Sequence, residues 1–113
     1  VEIAFYYSTV NQPTIIYGSD VIAMDANTAV EVHKPNTVLG CWVTQYPNNA
    51  LGVHEDQFIG KIEKYIVVGN EKTHDSKDIL KTQPFKKHKF DWLFSRSMSK
   101  DQNVIYEIDM RKQ

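Results

Sequence analysis

Short runs in which apolar and polar residues alternate, each closed by turn-forming residues, recur along nearly the whole chain. The clearest are Thr37–Tyr46 (TVLGCWVTQY), Phe58–Gly69 (FIGKIEKYIVVG), Phe90–Ser99 (FDWLFSRSMS) and Val104–Asp109 (VIYEID). Successive side chains of a strand point to opposite faces, so a period of two marks a sheet with one wetter and one drier side. Val, Ile, Thr and aromatic residues dominate these runs, and Pro, Asn, Gly and Asp separate them. The pattern predicts a mainly β (or α+β) chain: a single antiparallel sheet of six to eight strands with at most one short helix.

The 113 residues fit one domain, 1–113, large enough for a core without disulfide staples. Hydrophobic residues make up 42% and charged residues 24%, which argues against disorder. No apolar stretch reaches the roughly 20 residues that a membrane span requires. The net charge of −1 makes nucleic acid an unlikely partner. That charge is uneven. Residues 1–57 hold one lysine against six acids, a balance of −5, and residues 58–113 hold twelve bases against eight acids, a balance of +4.

Within this frame Glu2–Thr9 and Thr14–Tyr17 read as strands around a turn at Asn11-Gln12-Pro13. Asp25–Thr28 reads as a reversal, and Ala29–His33 pairs with 37–46 across Lys34-Pro35-Asn36 as a hairpin. Both parities of 37–46 are apolar, which predicts an inner strand with Leu39, Cys41 and Trp42 buried, or a strand at a homodimer contact. Pro47–Gln57 reads as a long loop, and 76–82 as the one short helix, with Ser76 or Asp75 as its N-cap. Phe90–Ser99 and Val104–Asp109 form the last expected hairpin, with Phe90, Trp92 and Phe94 on one face.

Two stretches resemble the surface-adhesin protein E family of small bacterial envelope proteins. In the first, Asp25-Ala26-Asn27-Thr28-Ala29-Val30 is followed by Lys34-Pro35-Asn36 and by Cys41-Trp42-Val43. In the second, Ser95 to Ser99 leads through Asp101-Gln102-Asn103 into Val104-Ile105. Val67-Val68 stands where that family carries a cysteine. The resemblance implies a secreted or cell-envelope protein built on an antiparallel sheet, its signal segment removed. It carries over no ligand-contacting residue.

No nucleotide-binding loop, hydrolase elbow or zinc-protease motif occurs. Cys41, the single cysteine, lies in an apolar run as a packed thiol, away from any helix N-terminus that would activate it. No metal ligands or cofactor-binding residues are identified. His54 and His74, each beside acids, are the components of an alternative reading as a small enzyme. One charge motif rises above background: Lys81, Lys86, Lys87, His88 and Lys89 interleave with Phe85 and Phe90, and Trp92 follows. Cations beside aromatic platforms suit a polyanion. Lysines also guard sheet edges against strand addition, and this second account is favoured. The leading function is a non-enzymatic binding module for an unknown protein or extracellular ligand.

Overall fold

The computed structural model describes residues 18–43, 52–94 and 102–112. The expected strands Glu2–Thr9 and Thr14–Tyr17 lie outside them, as do Tyr46 and Ser95–Ser99 of the two hairpins. Among the described residues the architecture is α+β: one four-stranded mixed sheet and four α-helices. In chain order the elements are α1 (Ala26–His33), β1 (Thr37–Cys41), α2 (Glu55–Phe58), β2 (Lys64–Asn70), α3 (Glu71–His74), α4 (Asp78–Thr82), β3 (Lys86–His88) and β4 (Asn103–Asp109). The strand order is β1-β2-β4-β3. β1 runs parallel to β2, and the other two pairs are antiparallel. The expected antiparallel sheet of six to eight strands is therefore corrected to a smaller, mixed one.

The largest departure is at 26–33, expected as a reversal over 25–28 followed by a hairpin arm over 29–33 and found as a helix. Asp25 caps it, accepting the Thr28 N–H at 3.1 Å and the Thr28 hydroxyl at 2.6 Å. At the other end Lys34 adopts the left-handed region (φ 48°) and donates its N–H to the Val30 carbonyl at 2.9 Å. Pro35 then prevents continuation. The alternation in AVEVH is a coincidence of a short window, since Val30 is buried and Val32 is exposed. Pairing across Lys34-Pro35-Asn36 is thus replaced by a helix feeding an edge strand.

β2 and β4 make the centre, in register over seven residues from Lys64 opposite Asp109 to Asn70 opposite Asn103. Tyr65, Val67, Val104, Tyr106 and Ile108 point to one side and are fully buried. Val30, Phe58, Ile59, Ile62, Ile79 and Leu80 complete the core. Phe58 meets Tyr65 edge to face, with ring centroids 5.2 Å apart. Gly40 of β1 lies against the Tyr65 ring, and a Cβ there would stand 2.7 Å from its hydroxyl oxygen. The ring therefore demands a glycine on the neighbouring strand.

Four further expectations are corrected. β1 is an edge, so Leu39 is 65% exposed, Trp42 is 39% exposed and the Cys41 thiol faces outward. Only Val38 and Gly40 turn toward the core. Residues 58–61 are helical, with the strand starting at Lys64. The short helix expected at 76–82 is found as Asp78–Thr82, with Lys77 rather than Ser76 or Asp75 at its N-cap position. Phe90–Phe94 belong to no strand, and β4 pairs instead with Lys86–His88.

Ile108→Ala should destabilise the protein by about 2–5 kcal/mol, and Leu39→Ala by no more than about 0.5 kcal/mol. Urea unfolding of the two variants checks this; equal losses would be incompatible with Leu39 on an edge.

Candidate binding surface

The basic segment singled out in the sequence forms one rim of the sheet. Lys81 lies in the last turn of α4, exposed, 3.7 Å from Asp78. Lys86, Lys87 and His88 are β3, an edge strand of three residues. Register places Lys86 opposite Glu107 and His88 opposite Ile105 on the open face, while Lys87 lies opposite Tyr106 and turns to the helical side. There Lys87 Nζ stands 5.6 Å from the centroid of the Tyr106 ring and reaches Glu71 at 2.9 Å and Asp75 at 3.4 Å. Lys89 closes on the other oxygen of Glu71. His88 Nε2 contacts Glu107 at 3.1 Å, and Lys64 reaches the same carboxylate.

These contacts fix the electrostatics of the rim. Lys89 first and Lys87 second hold the Glu71 carboxyl below the usual carboxylate range. Lys64 and then His88 do the same for Glu107. Of the four lysines, Lys86 is the one without an ion-pair partner among the described residues. The surface is a lattice of matched charge more than an unbalanced cationic patch. Any polyanion would have to displace Glu71, Asp75 and Glu107 from the cations they already engage.

Beyond β3 the rim turns aromatic. The His88 and Phe90 rings are parallel within 8° at 6.3 Å, and Phe90 and Trp92 stack at 4.7 Å with 20° between planes. Phe90 is 42% exposed, Trp92 64% and Phe94 76%. A turn bonded from the Leu93 N–H to the Phe90 carbonyl, 3.1 Å, carries these rings. Its Leu93 carbonyl accepts the Asn103 side-chain amide at 2.9 Å. Asn103 in turn accepts from the Asn70 amide at 3.0 Å. Asn70, fully buried, donates its backbone N–H to His74 Nδ1 at 2.9 Å. The ladder is thus tied to the sheet through two buried amides and a buried imidazole.

The histidines of the enzyme reading fall in different places. His74 closes α3, packed against Gly69 and edge-on to Trp42 at 5.0 Å. His54 lines a cleft of about 400 Å³ with Val53, Glu55, Asp56, Asp78, Ile79 and Thr82. Glu55, at the cleft's buried side, takes the Lys77 ammonium at 3.0 Å on one oxygen and the Tyr65 hydroxyl on the other. Desolvation first, and the Glu55 charge second, push the Tyr65 phenol above its ordinary value. Both oxygens of Glu55 are engaged by structural partners, so its carboxylate holds the core together. Among the described residues no group of three or more His, Cys, Asp or Glu is arranged to hold a metal, and no helix is long and apolar enough to cross a membrane.

Sequence reasoning missed the Glu55–Lys77–Tyr65 trio, because Lys77 in SKD reads as a solvated residue. It also missed the Asn70–His74 closure. A signal existed there: Asn followed by Glu and, four residues on, His is compatible with a capped helical turn. Set against known proteins, the chain matches no family model, no curated protein and no solved structure.

Lys77→Met leaves the Glu55 charge buried without its counterion and should cost about 3–5 kcal/mol. Adding Glu55→Gln should recover a large part of that loss, which a double-mutant cycle of denaturant midpoints measures. Independent, additive losses would contradict a direct pair.

Proposed function

We propose that this chain is a non-enzymatic binding module, secreted or placed in the cell envelope, that engages its ligand through the aromatic turn beside β3. The observation that carries the reading is the His88–Phe90–Trp92 ladder, large rings left in water next to one another, with Phe94 exposed two residues on. Soluble proteins keep few such contiguous apolar surfaces unless something covers them. Aromatic rings also lead the residues that dominate binding energy, since they contribute large area with little side-chain entropy to lose. Placement outside the cell rests on the resemblance to the surface-adhesin family.

The charge lattice decides the kind of contact. With Lys87, Lys89 and His88 already facing carboxylates, little cation is left over for counterion-release binding. A ligand read by the rings is favoured over a polyanion read by the lysines. The cleft around His54 supports the enzyme reading less well, because its one buried carboxylate is fully engaged. The same lysines keep β3 from accepting a further strand, so the rim is closed to backbone pairing and open to side-chain contact.

Arrays of defined glycans and peptides, probed with the full chain at neutral pH, test the proposal. At least one compound should bind, with affinity falling about thirtyfold or more when Phe90, Trp92 and Phe94 are all replaced by Ala. Fold stability should change little, since these rings lie outside the core. Retained binding by the triple variant, no hit at all, or binding confined to heparin and oligonucleotides with a steep salt dependence would overturn the aromatic reading.

A further inference from the structure

The aromatic turn hangs on a hydrogen-bond chain that begins at a titratable group. The order is His74 Nδ1, Asn70 backbone N–H, Asn70 side-chain amide, Asn103 side chain, Leu93 carbonyl. Its three hydrogen bonds are directional and are joined through the covalent frame of Asn70, whose side-chain oxygen also accepts the Lys72 N–H at 3.0 Å. The three side chains involved are buried. Because Nδ1 accepts the Asn70 N–H, the imidazole is neutral with its proton on Nε2. A protonated imidazole bears N–H at both positions. Two donors would then face each other across the present 2.9 Å, and the bond would be replaced by a repulsion.

Close neighbours flank the ring on two sides. On one side Gly69 is so close that not even a Cβ would fit between backbone and imidazole. On another the Trp42 ring meets it edge-on. The charged groups around it do not offset a new cation. Lys77, from the segment leading into α4, presents positive charge, and its partner Glu55 is shared with Tyr65. Glu71 and Asp75, before and after His74 in sequence, are held by Lys87 and Lys89 from the β3 rim and by the Tyr106 hydroxyl of β4. β2 and β4 contribute the neutral amides Asn70 and Asn103, and the end of β1 contributes Trp42.

We propose that His74 is an acid-sensitive latch on the aromatic turn: the neutral ring holds the Asn70–Asn103 pair that anchors Leu93, and its protonation releases that anchor and loosens the ladder. This rests on the ladder being the ligand-binding surface, and it makes binding weaker in acid. The sign follows from the environment. Burial first, and Lys77 second, lower the His74 pKa below its ordinary value, against a smaller opposing contribution from the Asn70 backbone. The stability that the neutral ring supplies is therefore complete above the unfolded histidine value. It declines as pH falls below that value, and is lost once pH has fallen through the lower folded one.

Nuclear magnetic resonance of the free protein, titrated between about pH 8 and about pH 4.5, tests the latch across the histidine range. The His74 ring nitrogens, the Asn70 backbone amide, the Asn103 side-chain amide and the Leu93 amide should shift with one shared midpoint. That midpoint should lie below the ordinary histidine value, and amide exchange at Asn70 should accelerate through it. His74→Asn retains an acceptor near the Nδ1 position without a titratable proton, and it should abolish the step at Asn103 and Leu93. If that variant does not fold, the wild-type titration decides alone. Protonation of His74 with Asn103 and Leu93 unmoved would overturn the latch. Since no ligand is present, a flat titration refutes the latch alone, whereas an empty array screen refutes the ladder as a binding surface.

Discussion

The pairing of β2 with β4 is the contact from which everything else is positioned. Seven residues on each strand are in register, and the drier side of the pair supplies the fully buried Tyr65, Val67, Val104, Tyr106 and Ile108. β1 and β3 each have one neighbour and inherit their placement from this centre. The helices cover one side of it. Phe58, Ile79 and Leu80 reach the sheet from α2 and α4, and their burial is what fixes those short helices, which would be marginal as isolated peptides.

Polar groups inside this core serve orientation more than affinity. Glu55, Lys77 and Tyr65 join the start of α2, the entry to α4 and the central strand through one carboxylate. A buried ion pair of this kind contributes modest net stability, because desolvation offsets most of its attraction. Removing one member is costly for the same reason. Asn70 and Asn103 play a comparable part at the opposite end of the β2–β4 ladder, satisfying each other where the strands separate. The aromatic turn is attached at that end, so the placement of its rings depends on two amides remaining dry.

The sequence was legible where periodicity and burial agree. The apolar alternation of β4 and the second half of Phe58–Gly69 located the two central strands, and the lysines of 86–89 were recognisable as an exposed edge. It was illegible where local chemistry outvoted periodicity. Asp25 and Lys34 close a helix over residues whose alternation imitates a strand, and only the hydrogen bonds of the two caps distinguish the outcomes. Leu39 and Trp42 looked internal because nothing in a single segment says whether it has one neighbour or two. Of the candidate residues, Lys81 stands apart in α4 and Lys86 has no ion-pair partner among the described residues. Trp92 reaches His88 through Phe90, and Lys87, His88 and Lys89 share the β3 rim. Their neutralisation by Glu71, Asp75 and Glu107 arises from segments remote in sequence, which no motif could reveal.

The mixed order of the sheet also bears on how the chain finds its shape. β1 meets β2 across the intervening stretch 42–63, and β2 meets β4 across 71–102. Neither junction is a tight hairpin, so each requires closing a long loop before any ladder bond rewards it. A parallel neighbour such as β1 cannot grow by zipping outward from a turn. Assembly of the sheet is a search among distant segments, and among the described residues no strand is joined to its partner by a tight turn.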